Sequence, residues 1–244
     1  MKKLSVFIVF LLFLGISLNT SAQTVDDVIN KYVEAIGGLE KISAIKSMII
    51  SGTFGGGGME FPVTISYKRD YKIRMDISFQ GNSQISAFDG TTAWQINPWQ
   101  GKKDPEKMPA EGIKSMKEMA DFEGQLVNYK QKELTVELMG KEDMEGSEVY
   151  KIKVTDKDND VTYYFLDTQS YLILKQSSKR KIKEKEIEQE AFYGNYQPFG
   201  GVMMAMSMEI KTKGEDQSQK GTMKTVEINP AVDDSIFVMP EVKK

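Results

Sequence analysis

Asp156, Asp158 and Asp160, with Asn159 among them, have the spacing that opens a calcium loop, where alternating carboxylates converge on one ion. The pattern stops there. Val161 stands where the turn glycine belongs and Asp167 where a bidentate glutamate would close the shell, so the segment reads as an acidic hairpin turn. Gly55-Gly56-Gly57-Gly58 invites comparison with a phosphate cradle, but such a loop needs a lysine and a following helix. Strand-like sequence flanks these glycines, and a hairpin tip is expected. The chain has no histidine and no cysteine. That removes the usual general base, the commonest zinc ligand and the Ser-His and Cys-His pairs. Carboxylate pairs and Ser-Lys dyads carry no signature here, so neither catalysis nor a cofactor or metal is expected.

Other conspicuous residues admit two readings each. Met203, Met204, Met206 and Met208 are part of a complement of 15 methionines. Their soft, unbranched side chains either fill an irregular core or line a cavity for variable apolar ligands. Trp94 and Trp99, near Pro98 and Gly101, are core plugs or the rim of an opening. Arg69 and Arg74 are the only arginines besides Arg180, and solvated strand charges are the plain expectation for both.

The elements that must position these residues follow from periodicity. Thr24 is an N-cap with Asp27 three residues on, and Val25, Val28, Ile29, Tyr32, Val33 and Ile36 recur at helical spacing until Gly37-Gly38. A short second turn is expected at Leu39 to Ala44. From Ser47 the period is two, with strands at 48–54, 59–68, 71–80, 83–88 and 92–97 separated by Gly, Asp and Asn turns. A lysine-rich segment, 101–109, leads into a helix over 110–122 whose apolar side carries Ile113, Met116, Met119 and Ala120. A second run of strands covers 134–140, 148–155, 161–167, 171–178, 183–193, 202–213 and 222–228. Without alternating β-α units, this is mainly β (α+β): a large antiparallel sheet of about 11 to 12 strands packed on helices.

Lys2 and Lys3 precede an apolar run from Leu4 to Leu18 that ends in Thr20-Ser21-Ala22. At about 15 residues it is shorter than the roughly 20 a spanning helix needs, so residues 1–22 read as a signal peptide cleaved after Ala22. The remainder, 23–244, is expected to be a single domain in the periplasm. Loss of the two lysines takes the formal charge of −3 to about −5, which argues against nucleic acid as a partner. With no cysteine to carry a lipid anchor or disulfides, the mature chain must rest on its own core.

Several stretches resemble a known family. Tyr67-Lys68-Arg69-Asp70-Tyr71-Lys72-Ile73-Arg74-Met75-Asp76 is followed by Phe88-Asp89-Gly90-Thr91-Thr92-Ala93-Trp94-Gln95-Ile96-Asn97-Pro98. Then come 121–129, the strands from Tyr150 through Tyr163-Tyr164-Phe165-Leu166-Asp167 to Lys175, and an ending with Val226-Glu227-Ile228-Asn229-Pro230 and Ser235-Ile236-Phe237. Together they are similar to the outer-membrane lipoprotein-sorting family of Bacteroidetes type, related to the LolA and LolB carriers. Arg69, Asp89, Gly90, Trp94, Asn97 and Pro98 match that family's pattern; Asp70 stands in place of its proline and Ile73 in place of its usual aromatic. The resemblance implies a curved, incomplete β-barrel lidded by an N-terminal helix and the inserted helix. It also implies an apolar hollow for lipid or the acyl chains of lipoproteins, and an arginine that controls the lid through hydrogen bonds to its backbone. On that basis the expected ligand-binding and gating residues are Arg69, Ile73, Trp94, Trp99, Ile113, Met116 and Met119. The expected partners are a lipid or acylated lipoprotein and an envelope protein, with the chain itself a monomer. The competing expectation is a non-catalytic interaction module of the envelope with a filled core.

Overall fold

The computed structural model describes residues 23–182 and 185–241, and the expected signal peptide lies outside them. Helix α1, Val25–Ala35, opens with the expected capping box: the Asp27 amide donates to Thr24 Oγ1 and the Thr24 amide to Asp27 Oδ2. Val28, Ile29, Tyr32 and Val33 form its buried stripe. The helix ends where Gly37 adopts φ 118°, and a Cβ there would stand 2.3 Å from the Gly201 carbonyl oxygen. Only glycine lets the helix end approach this turn so closely. Helix α2, Leu39–Ala44, follows.

The strands are β1 Ser47–Gly56, β2 Phe61–Lys68, β3 Lys72–Phe79, β4 Asn82–Phe88, β5 Ala93–Asn97 and β6 Lys102–Lys107. After helix α3, Ala110–Ala120, come β7 Thr135–Met144, β8 Ser147–Thr155, β9 Val161–Asp167, β10 Ile173–Ile182, β11 Lys185–Phe199, β12 Val202–Thr212 and β13 Gln219–Ile228. They form one antiparallel sheet of 13 strands, in the order β6-β5-β4-β3-β2-β1-β13-β12-β11-β10-β9-β8-β7, which is not closed into a barrel. The strand that sequence reading misses is β6. Its residues, Lys-Lys-Asp-Pro-Glu-Lys, show no apolar alternation and include Pro105, which an edge strand tolerates.

This order has a topological consequence. The chain begins in the middle of the sheet, meanders out to the β6 edge, crosses to the β7 edge, and meanders back until β13 pairs with β1. The crossing contains α3, about 16 Å of helix. The sheet must therefore curl until α3 can reach elements of both halves. It does so: α3 packs against β3, β4 and β5, while its charged side chains pair with the β8–β9 turn and β10.

The register separates the two faces. Ile73 pairs with Phe88 and Phe88 with Ala93 on the inner, helix-covered face. Arg74, Ala87 and Trp94 alternate onto the outer face. There the segment after β13 closes over them. Trp94 Nε1 donates to the Phe237 carbonyl (2.7 Å), Arg74 donates to the Ile236 carbonyl (3.0 Å), and Phe237 is fully buried. Trp94 is thus a core plug on the face away from the helices. The β2–β3 turn is made by Asp70 and Tyr71, both left-handed (φ 68° and 61°). A proline, fixed near φ −65°, cannot stand at Asp70 in such a turn, which accounts for the departure from the family's pattern.

Phe237→Ala is expected to cost about 3–5 kcal/mol in denaturant-induced unfolding, the price of an aromatic removed from a sealed site. A loss below about 1 kcal/mol would show that the tail does not hold the outer face.

Candidate ligand cup and lid

The inner face carries two apolar layers. Beneath α3 lie Ile73 (0% exposed), Phe88 and Ala93, which meet Met116 and Ala120, with Ile113, Ile65, Tyr67 and Met108 around them. Beneath α1 lie Ile152, Val154, Tyr164 and Leu166, together with Leu126 and Val127 from the segment after α3. Ile65 and Tyr67 touch both layers. Along β12, Met206 is buried on this face and Met203 and Met204 pack against the α1 layer. These methionines fill space around the helix.

Arg69 ties α2 to the segment after α3. Its Nε donates to the Ile45 carbonyl (2.6 Å) and its Nη2 to the Ile42 carbonyl (2.7 Å), at the C-terminal end of α2. The Ile42 carbonyl also accepts the Ile45 amide (3.2 Å), and the C-terminal end of a helix is where a cation is favoured. Nη2 also pairs with Glu123 Oε1 at 2.7 Å, and the guanidinium lies 5.0 Å from the Phe122 ring centre. Arg69 is therefore no solvated strand charge. It joins the N-terminal helices to the segment leaving α3. Within that segment Lys132 donates to Asp121 and to the Gly124 carbonyl (2.7 Å).

At its other side α3 is latched to the far half of the sheet. Lys114 Nζ lies 2.9, 2.7 and 2.7 Å from carboxylate oxygens of Asp156, Asp158 and Asp160. One turn on, Glu118 pairs with Arg180 of β10 at 2.5 Å. The three aspartates are the acidic hairpin read from the sequence: Asp156 caps its own turn by accepting from the amides of Asp158 and Asp160. Among the described residues no group of acidic side chains is placed to hold a metal ion, and no helix is long and apolar enough to cross a membrane. Burial alone would pull the Lys114 ammonium down, but its bonds to Asp158, Asp160 and Asp156 outweigh that and raise it. Lys114 in turn holds Asp158 below the ordinary carboxylate value. Glu118 and Asp121 are raised, chiefly by burial, against the pull of Arg180 and Lys132.

The structure brings together Ile73, Ile113 and Met116, and sets Arg69 against Phe122 and Glu123 just past the end of α3. It does not bring the other three expected residues to them. Trp94 faces the opposite side of the sheet. Met119 is 42% exposed on the flank of α3, because Ile113, Met116 and Ala120 already define a narrow contact stripe. Trp99 is 43% exposed and sits 6.0 Å from Phe61 and 6.4 Å from Phe79, which lie 5.1 Å apart edge to face. Phe61 and Phe79 share a face with Ile65 and Ile73, so this cluster continues the inner face to the strand ends away from α3. Sequence reading passed over Lys114, Glu118, Arg180 and Glu123. A lysine and a glutamate one turn apart on a helix, and acids clustered on a turn, are each ordinary surface features until the fold pairs them.

Three solved structures are similar over most of their length. A DUF1329 family protein from Desulfovibrio piger and a LolA superfamily protein from Nitrosomonas europaea each share 13% identity over 89% of this chain and 98% of their own, with a TM-score of 0.60. A putative outer membrane lipoprotein-sorting protein domain from Vibrio parahaemolyticus shares 10% identity over 86% of this chain and 97% of its own, at a TM-score of 0.53. No family model and no curated protein matches the chain. The fold is thus LolA-like.

Arg69→Met strands a nearly enclosed Glu123 carboxylate and takes the donor from the Ile45 carbonyl, and is expected to cost about 2–4 kcal/mol. Adding Glu123→Gln should return part of that loss; no recovery in the double variant would refute the coupling. The Lys114 latch has its own pH signature. Because Asp158 is depressed, its contribution is present above the ordinary value of 3.8 and lost as pH falls through the depressed one. Glu118 and Asp121, being raised, act in the opposite sense over that window. Amide exchange, corrected for intrinsic rate, should therefore show the Lys114 turn losing protection as pH falls below 3.8, before the Ala120 turn does. Simultaneous loss would contradict a separate latch.

Proposed function

We propose that this protein is a periplasmic carrier that binds lipid, or the acyl chains of lipoproteins, on the inner face of its sheet, with α3 as the lid and Arg69 as the gate. The observation that carries this reading is the lid's construction. An amphipathic helix bridges the two halves of a curled sheet over the apolar row Ile73, Phe88 and Ala93, and partly exposed ion pairs fix it on the far side. The LolA-like fold supports the same reading, as do the lipoprotein-sorting and LolA superfamily descriptions of similar structures. Export through residues 1–22 and a monomeric, non-catalytic carrier belong to the proposal.

Magnitudes decide whether such a lid can yield. Met116, Ala120 and half-buried Ile113 contribute roughly 3–5 kcal/mol of apolar contact. Exposed ion pairs add about 0–1 kcal/mol each. An acyl chain gains about 0.8 kcal/mol per buried methylene, so about six methylenes match the lid's own contacts and a longer chain displaces it. Ile73, Ile113 and Met116 would meet the chain. Trp99 and Met119, both exposed, would stand at the rim.

The packing favours one alternative, a filled-core interaction module of the envelope. Ile152, Leu166 and Val28 are fully buried beneath α1. A pronounced depression of about 520 Å³ lies elsewhere, lined by Lys46, Lys68, Pro230 and Val232.

Because the chain has no cysteine, Lys114→Cys with Asp158→Cys allows a short bis-maleimide to lock the lid. The locked protein is expected to lose uptake of the apolar probe N-phenyl-1-naphthylamine, while the double variant alkylated by a mono-maleimide takes it up. Equal uptake by both would remove α3 as the lid; uptake by neither, nor by the unmodified chain, would favour the filled core.

A further inference from the structure

Gln23 precedes the N-cap of α1, and the fold holds it from two sides. The residue after it, Thr24, is fixed by the capping box with Asp27. The Gln23 side chain reaches across to β8, where the Tyr150 hydroxyl donates to its Oε1 (2.7 Å). Tyr150 is itself buried and stacked on Tyr171, with ring centres 5.7 Å apart and planes at 18°. Lys141 lies over the Tyr150 ring and Lys31 over the Tyr171 ring, and Lys31 Nζ donates to the Tyr171 hydroxyl (3.2 Å). A glutamine amide is thus seated at the head of α1 on a rigid aromatic pair flanked by two cations.

Removal of residues 1–22 after Ala22 makes this glutamine the first residue, with a free α-amine. The amine and the side-chain carboxamide of one residue close a five-membered ring, so their proximity is built in. The amine nitrogen adds to Cδ, the bond from Cδ to Nε2 breaks, and the proton lost by the amine leaves with that nitrogen as ammonia. No oxidant or other co-reactant is needed. The surroundings favour the product. An α-ammonium here would stand at the positive end of α1, where a cation is disfavoured, with Lys31 and Lys141 nearby. The adjacent carboxylates are already engaged, Asp27 by Thr24 and Asp26 by Tyr129 and Lys130. The lactam is neutral and keeps Oε1 as its carbonyl oxygen, so the Tyr150 hydroxyl retains an acceptor.

We infer that Gln23 is a modification site: after residues 1–22 are removed it cyclises to an N-terminal pyroglutamate, whose lactam oxygen is received by Tyr150 at the head of α1. This rests on the export proposed above and is independent of the cargo. The cyclised terminus carries no charge and no free amine, and it pins the first turn of α1 to β8.

The test is the intact mass of the protein freshly isolated from its native cells, with sequencing of its N-terminal peptide. The expected result is a chain that begins at residue 23, is lighter by one ammonia, and resists stepwise N-terminal degradation until pyroglutamyl peptidase is added. A chain that begins at residue 23 with an open glutamine overturns the modification and leaves export intact. A chain that keeps residues 1–22, or begins elsewhere, overturns the export on which the inference rests. Tyr150→Phe tests the seat. The variant keeps the stacking on Tyr171 and should match the parent in thermal stability, but pyroglutamyl peptidase should open it about tenfold faster, the worth of one hydrogen bond. Equal rates would remove Tyr150 as the receptor of the ring.

Discussion

The pairing of β1 with β13 is the constraint on which the rest of the structure depends. It places both ends of the folded chain at the centre of the sheet and leaves the two edges to be joined by the crossing that contains α3. A helix in that position cannot be a surface ornament. It must lie over the inner face, and the sheet must curl to meet it. The pairing is also tight: at Gly52, beside the irregularity in register, a Cβ would stand 2.1 Å from the Thr222 carbonyl oxygen, so a larger residue would force the central strands apart.

Two kinds of force then act on α3, and they do different work. Apolar contact with Ile73, Phe88 and Ala93 supplies most of the holding energy and is indifferent to direction. Ion pairs supply little energy but fix position, because Lys114 meets three carboxylates of a single turn and Glu118 meets Arg180. Arg69 combines both roles at the other end, where Glu123 is sheltered from water. Together the two hold α3 in one position over the inner face. On the outer face, the segment through Phe237 is fixed to the N-terminal half by the hydrogen bonds from Trp94 and Arg74.

Much of this was legible in the sequence because it is periodic. The capping box at Thr24, the stripe through Tyr32, the alternating strands and the helix after Pro109 all follow from local pattern, and the LolA-like architecture follows from the stretch around Arg69 and Trp94. What was not legible depends on distance in sequence. Alternation on β5 shows that Trp94 and Ala93 face opposite ways, but not that the tail 143 residues away covers the Trp94 side. The apolar residues of α3 suggest a contact stripe, but only packing shows that it narrows to Ile113, Met116 and Ala120 and leaves Met119 outside. The aspartates after Thr155 drew attention as a failed calcium loop; their true partner is an ammonium on a helix more than forty residues earlier. Strand β6 was hidden because an edge strand facing solvent has no need of apolar alternation.

The most direct measurement of the central claim is mass spectrometry of the intact protein, and of its organic-solvent extract, after gentle purification from its native envelope. A lipid or acylated polypeptide bound near one per chain, and absent from a variant whose inner face is blocked by Ile73→Trp, is the predicted result. Protein that is reproducibly empty from several preparations, under conditions that preserve lipid complexes of other carriers, would contradict it and leave a filled-core module of the envelope as the better description.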